Sequence, residues 1–245
     1  GSIHEGHLSL IKKAKKDSKN VLVSIYVNPK QFNVSSDFKK YPRNIKKDIA
    51  ILKKTKVKYL YLPTYKDIYS FRPISSVYLD RFSKKLCGKF KPGHFKGVVN
   101  VVNRFIETIK PSLIYLGFKD FQQLNLIKLH INKKKIRTKI IACTTIREKN
   151  GIALSSRNIL LNKQQIEIAV RIYKYLKNIK KKIVPANLKK KKLDILNKIF
   201  LLGAKKIDYL EYINIKTLKS PKKINEIYNI FIAYYVGNVR LIDNL

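Results

Sequence analysis

Four residues near the start of the chain, His4-Glu5-Gly6-His7, carry the densest chemistry in the sequence. They run directly into an amphipathic stretch, Leu8 to Lys16, whose spacing predicts a helix. A helix N-terminus presents free backbone N–H groups and the positive end of the helix dipole, which suits a phosphate. Two imidazoles three residues apart can face the same phosphate chain, and Gly6 leaves room for close approach. A metal pair and two ordinary histidines are the competing readings of a His-x-x-His motif. Against the metal, neither His94 nor His130 stands at a third-ligand spacing.

Three further segments have functional residue types at informative places. Asn28-Pro29-Lys30-Gln31-Phe32 follows a strand-like run, and ligands in open α/β sheets bind beyond the carboxyl ends of strands. An amide at Gln31 could bond both a hydroxyl and a carboxylate, although for this segment alone a polar turn is the better reading. Gly117-Phe118-Lys119-Asp120-Phe121-Gln122-Gln123 also leaves a strand for a helix. There Gly117 permits an unusual backbone, Lys119 can neutralise phosphate, and Asp120 is expected to cap the helix. Thr145-Ile146-Arg147-Glu148 and Leu154-Ser155-Ser156-Arg157-Asn158 read either as a phosphate clamp or as a polar interdomain loop. Gly and Pro punctuate the stretch from Leu86 to Gly97, as in a flexible active-site loop.

These pieces need a frame to position them. Val21 to Val27 reads as a strand buried on both faces. Asn44 to Lys54 reads as a helix with Ile45, Ile49 and Leu52 on one side. A strand from Val57 to Leu62, a helix from Val98 to Ile109, a strand from Leu113 to Leu116, a helix from Asp120 to Ile131 and a strand from Lys139 to Cys143 follow. Alternating strands and helices predict a Rossmann-like, doubly wound parallel sheet over residues 1–145. Beyond it come two Lys-rich helical stretches, Lys163 to Lys182 and Ala186 to Leu202. Strand-like segments then run from Asp208 to Ile213, Ile230 to Val236 and Val239 to Ile242, so a smaller α+β domain is expected over 146–245.

Composition bounds the function. An apolar fraction of 45% in 245 residues suits a globular enzyme with a real core. No apolar run is long enough to span a membrane, and charge and His occupy the place of a signal-peptide core. Cys87 and Cys143 fit no metal spacing and read as reduced thiols of a cytoplasmic protein. The net charge of +39 would suit nucleic acid. However, the lysines are spread along the whole chain, and Lys, Ile and Asn share A/T-rich codons. Compositional bias with solvated faces is the preferred reading, with no nucleic-acid partner. A basic surface still attracts anionic substrates.

Taken in order, the segments HEGHLSLI, VSIYVNPKQF, YPR, LCGKFKPGHFKGV, KDFQQL, TIRE, ALSSRN, DYLEYIN and VRLIDN closely resemble the pantothenate synthetase family, the pantoate–β-alanine ligases. The resemblance runs from Gly1 to Asn244 and places the chain in the HIGH-motif nucleotidylyltransferase superfamily. It implies joining of pantoate to β-alanine at the expense of ATP through a pantoyl adenylate, with Mg²⁺, in a homodimer. By the same resemblance His7 is the proton donor and His4 contacts the phosphates. Gly1, Ser2, Ile3, His4, Glu5, Gly6 and His7 line the ATP site, joined by Gly117, Phe118, Lys119, Asp120, Ile146, Leu154, Ser155, Ser156 and Arg157. Gln31 is shared by pantoate and β-alanine, and Gln123 is the second pantoate glutamine. Lys119 is the choice for stabilising the transition state, while the Mg²⁺ ligands stay unassigned. The domain after residue 145 is expected to close over the site and shield the adenylate from water.

Two departures from the family stand out. Phe118 replaces a usual Glu or Gln, which leaves a backbone contact to ATP at that position. The family also carries about thirty residues, ending in Pro-Thr-Met, ahead of the point where this Met-free chain opens, including a strand normally central to the sheet. The expectation is a sheet without its first strand, two exposed ladder edges, and a chain that is unstable or inactive until extended upstream.

Overall fold

In the computed structural model, residues 1–33, 35–70, 76–182, 187, 190–221, 223 and 226–245 are described. They form two compact units, Gly1–Ile146 and Arg147–Leu245.

The first unit alternates helices and short parallel strands. In chain order it holds α1 (Glu5–Asp17), β1 (Leu22–Ser24), α2 (Ser35–Lys40), α3 (Ile45–Thr55), β2 (Tyr59–Tyr61) and α4 (Tyr65–Tyr69). Then come α5 (Cys87–Phe90), α6 (His94–Ile109), β3 (Leu113–Gly117), α7 (Phe121–Lys133) and β4 (Lys139–Cys143). β1 pairs with β2 and β3 with β4, both in parallel, as alternating strands and helices require. The two pairs are separate, and among the described residues no ladder joins them. Among the described residues each strand therefore keeps one unpaired edge.

That separation corrects the reading of Val21 to Val27 as a strand buried on both faces. β1 is only three residues long, and Leu22 and Ser24 are exposed. β3, apolar throughout, is half-buried at every position. A strand hydrogen-bonded on one side alone lacks the neighbour that would cover its flanks. The core of this unit is carried instead by α6 and α7, with Val98, Val99, Phe121, Leu124, Leu126 and Ile127 all buried. α3 starts where expected, with the Asn44 side chain accepting from the Lys47 N–H at 3.0 Å. Its inward face differs from expectation, since Ile45 is exposed while Asp48 is buried beside Leu52.

The second unit is α+β. α8 (Lys163–Lys182) and α9 (Lys192–Leu201) pack on an antiparallel sheet of β5 (Lys206–Asn214), β6 (Tyr228–Val236) and β7 (Val239–Asn244), in the order β5-β6-β7. Ile172, Leu176, Ile195, Ile199, Leu210, Ile230 and Ile232 fill its core. The first residues of the helix expected from Ala186 lie outside the described residues; the described helix begins at Lys192. No helix among the described residues is long and apolar enough to cross a membrane.

Candidate active site

α1 begins at the histidine motif, and the two rings build its first turn. His4 is the N-cap, and its Nδ1 accepts from the Gly6 N–H at 3.1 Å. The His7 Nδ1 accepts from the His4 N–H at 3.3 Å, which makes a reciprocal capping box from two imidazoles. The ring centroids lie 4.0 Å apart, tilted by 33°. Because each Nδ1 is an acceptor, the neutral rings carry their protons on Nε2. The capping geometry thus selects the tautomer that leaves both Nε2–H groups as donors for a ligand.

Charge around the pair is set by its neighbours. Burial lowers the pKa of both rings, and for His7 it is the largest of several causes that bring the value to about 4. His4 and the N-terminal amine add to the lowering at His7, and Asp120 and Asp48 oppose it. Lys119 is the next cause at His4 after burial, again opposed by Asp120. The structure therefore gathers Gly1, His4, His7, Lys119 and Asp120 into one electrostatic neighbourhood, although β3 and α1 are far apart in sequence. The link is the packing of α1 on β3, which includes a 3.0 Å bond from the Tyr115 hydroxyl to Asp17 Oδ2.

Several local expectations change at the Gly117 segment. Gly117 has ordinary extended backbone (φ −72°, ψ 135°), and a side chain there would meet open space. Its value to the site is therefore room rather than an unusual conformation. A short 3-10 turn, Phe118–Asp120, leads into α7, and the Asp120 side chain makes no cap bond. Its carboxylate lies 3.5 Å from the Lys119 ammonium instead. Phe118 turns its ring edge-on to Phe121, with centroids 5.1 Å apart. The adjacent glutamines divide the work. Gln122 is buried, donating to the Phe82 and Lys85 carbonyls at 2.8 and 2.7 Å and accepting from the Cys87 N–H at 3.1 Å. Gln123 is half-buried on the next face of α7.

Gln31 sits in a tight 3-10 turn, Pro29–Gln31, that is held from three sides. The buried Asn28 accepts from the Lys30 N–H and from the Tyr69 hydroxyl, and donates to the Gly97 carbonyl at 3.1 Å. The His94 ring donates through Nδ1 to the Gln31 carbonyl at 2.6 Å. Gly97 lets α6 approach so closely that a Cβ there would stand 2.5 Å from the Lys30 carbonyl oxygen. Among the described residues neither the Gln31 nor the Gln123 amide bonds the histidine pair. Ile146, half-buried, is the last residue of the first unit, and Leu154 to Arg157 belong to the second. There the Ser155 hydroxyl accepts from the Arg157 N–H at 3.3 Å, and Ser156 is buried.

Asp48, Gln122 and Gly97 were not singled out from sequence, and Asn28 and His94 were given no role of their own. Asp48 had a usable signal, a charge at a core-facing position one turn before Leu52. The others depend on contacts between segments distant in the chain.

The fold is that of an α/β enzyme whose first helix is capped by a pair of histidines. The family model for pantoate–β-alanine ligases matches residues 1–245, and the chain belongs to that family. A pantothenate synthetase from Fervidobacterium nodosum is 39% identical over all of this chain and 88% of its own length. One from Clostridium botulinum is also 39% identical, at the same coverage. Among solved structures, the pantoate–β-alanine ligase of Francisella tularensis, complexed with β-γ ATP and β-alanine, is 41% identical. It has a TM-score of 0.82, over 100% of this chain and 86% of that one. Pantothenate synthetase from Thermus thermophilus superposes with a TM-score of 0.85 at 27% identity, over 100% of this chain and 90% of that one.

Proposed function

We propose that the His4–His7 pair, Lys119 and the N-terminal turn of α1 form the phosphate-handling centre of an ATP-dependent pantoate–β-alanine ligase. The observation that carries this reading is the capping box, which engages both Nδ1 atoms and leaves Nε2 out of it, with Lys119 and Asp120 near enough to shift the His4 ring electrostatically.

The reaction has two steps. A pantoate carboxylate oxygen attacks the α-phosphorus of ATP, and the bond to the bridging oxygen breaks to release pyrophosphate. The β-alanine amine then attacks the acyl carbon of pantoyl adenylate; the bond to AMP breaks and the amine gives up a proton. Neither step calls for a covalent enzyme intermediate, so the protein contributes position and charge. With its pKa at about 4, His7 is neutral at neutral pH and serves as a hydrogen-bond donor to phosphate. The permanent positive charge comes from Lys119 and the dipole of α1. Gln31 and Gln123 hold pantoate, and Gln31 also takes β-alanine. Gly1, Ser2, Ile3, Glu5, Gly6, Gly117, Phe118 and Ile146 line the ATP, and the resemblance to the family adds Leu154, Ser155, Ser156 and Arg157.

The family implies Mg²⁺. Among the described residues no three His, Cys, Asp or Glu side chains cluster as a metal cage. A magnesium ion bound with a nucleotide can take most of its ligands from phosphate and water. Asp120, whose side chain is 48% exposed beside the histidines, is the carboxylate suited to hold it. When bound, such an ion neutralises triphosphate charge. A cytoplasmic homodimer is the expected form, in keeping with the two free thiols; light scattering of the purified chain at one and two protomer masses checks the dimer.

The deciding experiment is exchange of labelled pyrophosphate into ATP. Exchange that depends on pantoate and needs no β-alanine is expected. Exchange indifferent to pantoate refutes the reading.

A further inference from the structure

We propose that Asp48, on α3, is a positioning residue for the ATP site, acting by clamping the backbone that delivers His4 and His7. The proposal rests on the functional reading above and deepens it.

Asp48 is 1% exposed, yet it is spent on backbone 45 and 46 residues away. Its Oδ2 accepts from the Ser2 N–H at 2.8 Å, and its Oδ1 accepts from the Ile3 N–H at 2.7 Å. A buried carboxylate with both oxygens on consecutive amides is a charge-assisted fork, stronger than neutral hydrogen bonds. Ser2 between them has φ +61°, the left-handed region that an L side chain adopts only when its surroundings enforce it. Gly1 lies against the same carboxylate, since a Cβ there would be 3.2 Å from Oδ2. The clamp ends at Ile3, and the next residue is the N-cap His4. Asp48 thus fixes the direction in which the chain enters α1, and so the direction in which the two rings face.

Asparagine at this position keeps one acceptor and turns an NH₂ donor toward a backbone donor, so the fork cannot close. In D48N the KM for ATP is expected to rise about tenfold or more, the size of a lost charge-assisted bond. The KM for pantoate should change less than about twofold, because the Gln31 turn is held by Asn28, His94 and Gly97 rather than by Asp48. The double variant D48N/S2G tests the cause. Glycine takes positive φ freely, so part of the lost ATP affinity should return, whereas a defect of α3 packing would not respond. An unchanged ATP KM in D48N overturns the proposal. So does an equal rise in both KM values that S2G leaves uncorrected. Should D48N fail to fold, D48S, which keeps a single uncharged acceptor oxygen, is measured in the same way and an unchanged ATP KM is again fatal. Calorimetric titration with ATP alone separates the two readings. A wild-type chain that binds ATP but forms no pantothenate, both as it stands and extended upstream, sinks the ligase reading, and Asp48 is then judged by ATP affinity. A wild-type chain that binds no ATP sinks both.

Discussion

His7 illustrates how much of a site is decided within a few ångströms. Its Nδ1 is committed to the His4 N–H, and burial with a neighbouring imidazole holds its pKa at about 4. In the unfolded chain a histidine takes up its proton near pH 6.5. Between those values the unfolded state binds a proton that the folded state refuses, so stability is full above about pH 6.5 and falls as the pH drops toward 4. Denaturant titrations across this window should show that decline, and His7→Asn should flatten it. The same variant should lower kcat/KM by about 10²–10³, the usual cost of removing a preorganised donor to developing phosphate charge. Lys119 offers a second readout. It lowers the His4 pKa, so Lys119→Met should shift the His4 NMR titration upward as well as depress turnover. A His4 midpoint that stays put would separate the two groups.

Elements matter through their closest approaches. α6 reaches the Pro29–Gln31 turn only because residue 97 has no side chain. Gly97→Ala drives a Cβ into the Lys30 carbonyl, and backbone cannot swing aside as a flexible side chain would. A cost of about 1–3 kcal/mol is expected from such overpacking, together with a raised pantoate KM. A thermal melt and a pantoate titration check both, and a normal pantoate KM would detach this contact from Gln31. Of the two α7 glutamines only Gln123 was given a role from the sequence, by resemblance, and the burial of Gln122 beside it was not legible. Adjacent helical residues face different directions, and only the position of the Phe82–Cys87 segment makes Gln122 the buried anchor. The strands show the reverse error. A continuous apolar run predicted β1 as enclosed on both faces, but enclosure is a property of neighbours, and β1 bonds β2 alone.

At the scale of the molecule the two units differ in how they are held. The second has a three-stranded antiparallel sheet, with one register shift between Ile207 and Tyr209, under two helices, and Arg147 ties its first residues to β7. Arg147 bonds Asp243 through both terminal nitrogens, at 2.7 and 2.9 Å, and both side chains are largely buried. Asp243→Ala would leave that guanidinium only the Gly151 and Asn244 carbonyls among these partners, at a cost of about 1–3 kcal/mol. The loss should appear as a lower melting transition for the second unit, with the transition of the first unchanged. A melt displaced as a whole would show that the units unfold as one. The first unit, built on two separate parallel pairs, is expected to melt at the lower temperature. The +39 charge gives the molecule a basic field that favours anionic substrates, and salt should therefore raise the KM for ATP.

By itself the sequence determined most of the helix and strand order, the family, and a candidate motif for the chemistry. Those follow from local spacing and from residue types that few other reactions require together. The tertiary structure decided what surrounds that motif. It fixed the tautomers of His4 and His7 through a capping box. It brought Lys119 and Asp120 to them across the packing of α1 on β3. It also put Asp48 of α3 beneath the Ser2–Ile3 backbone. Each of these depends on distances between segments that lie far apart in the chain, and spacing along a sequence does not encode such distances until the chain has folded.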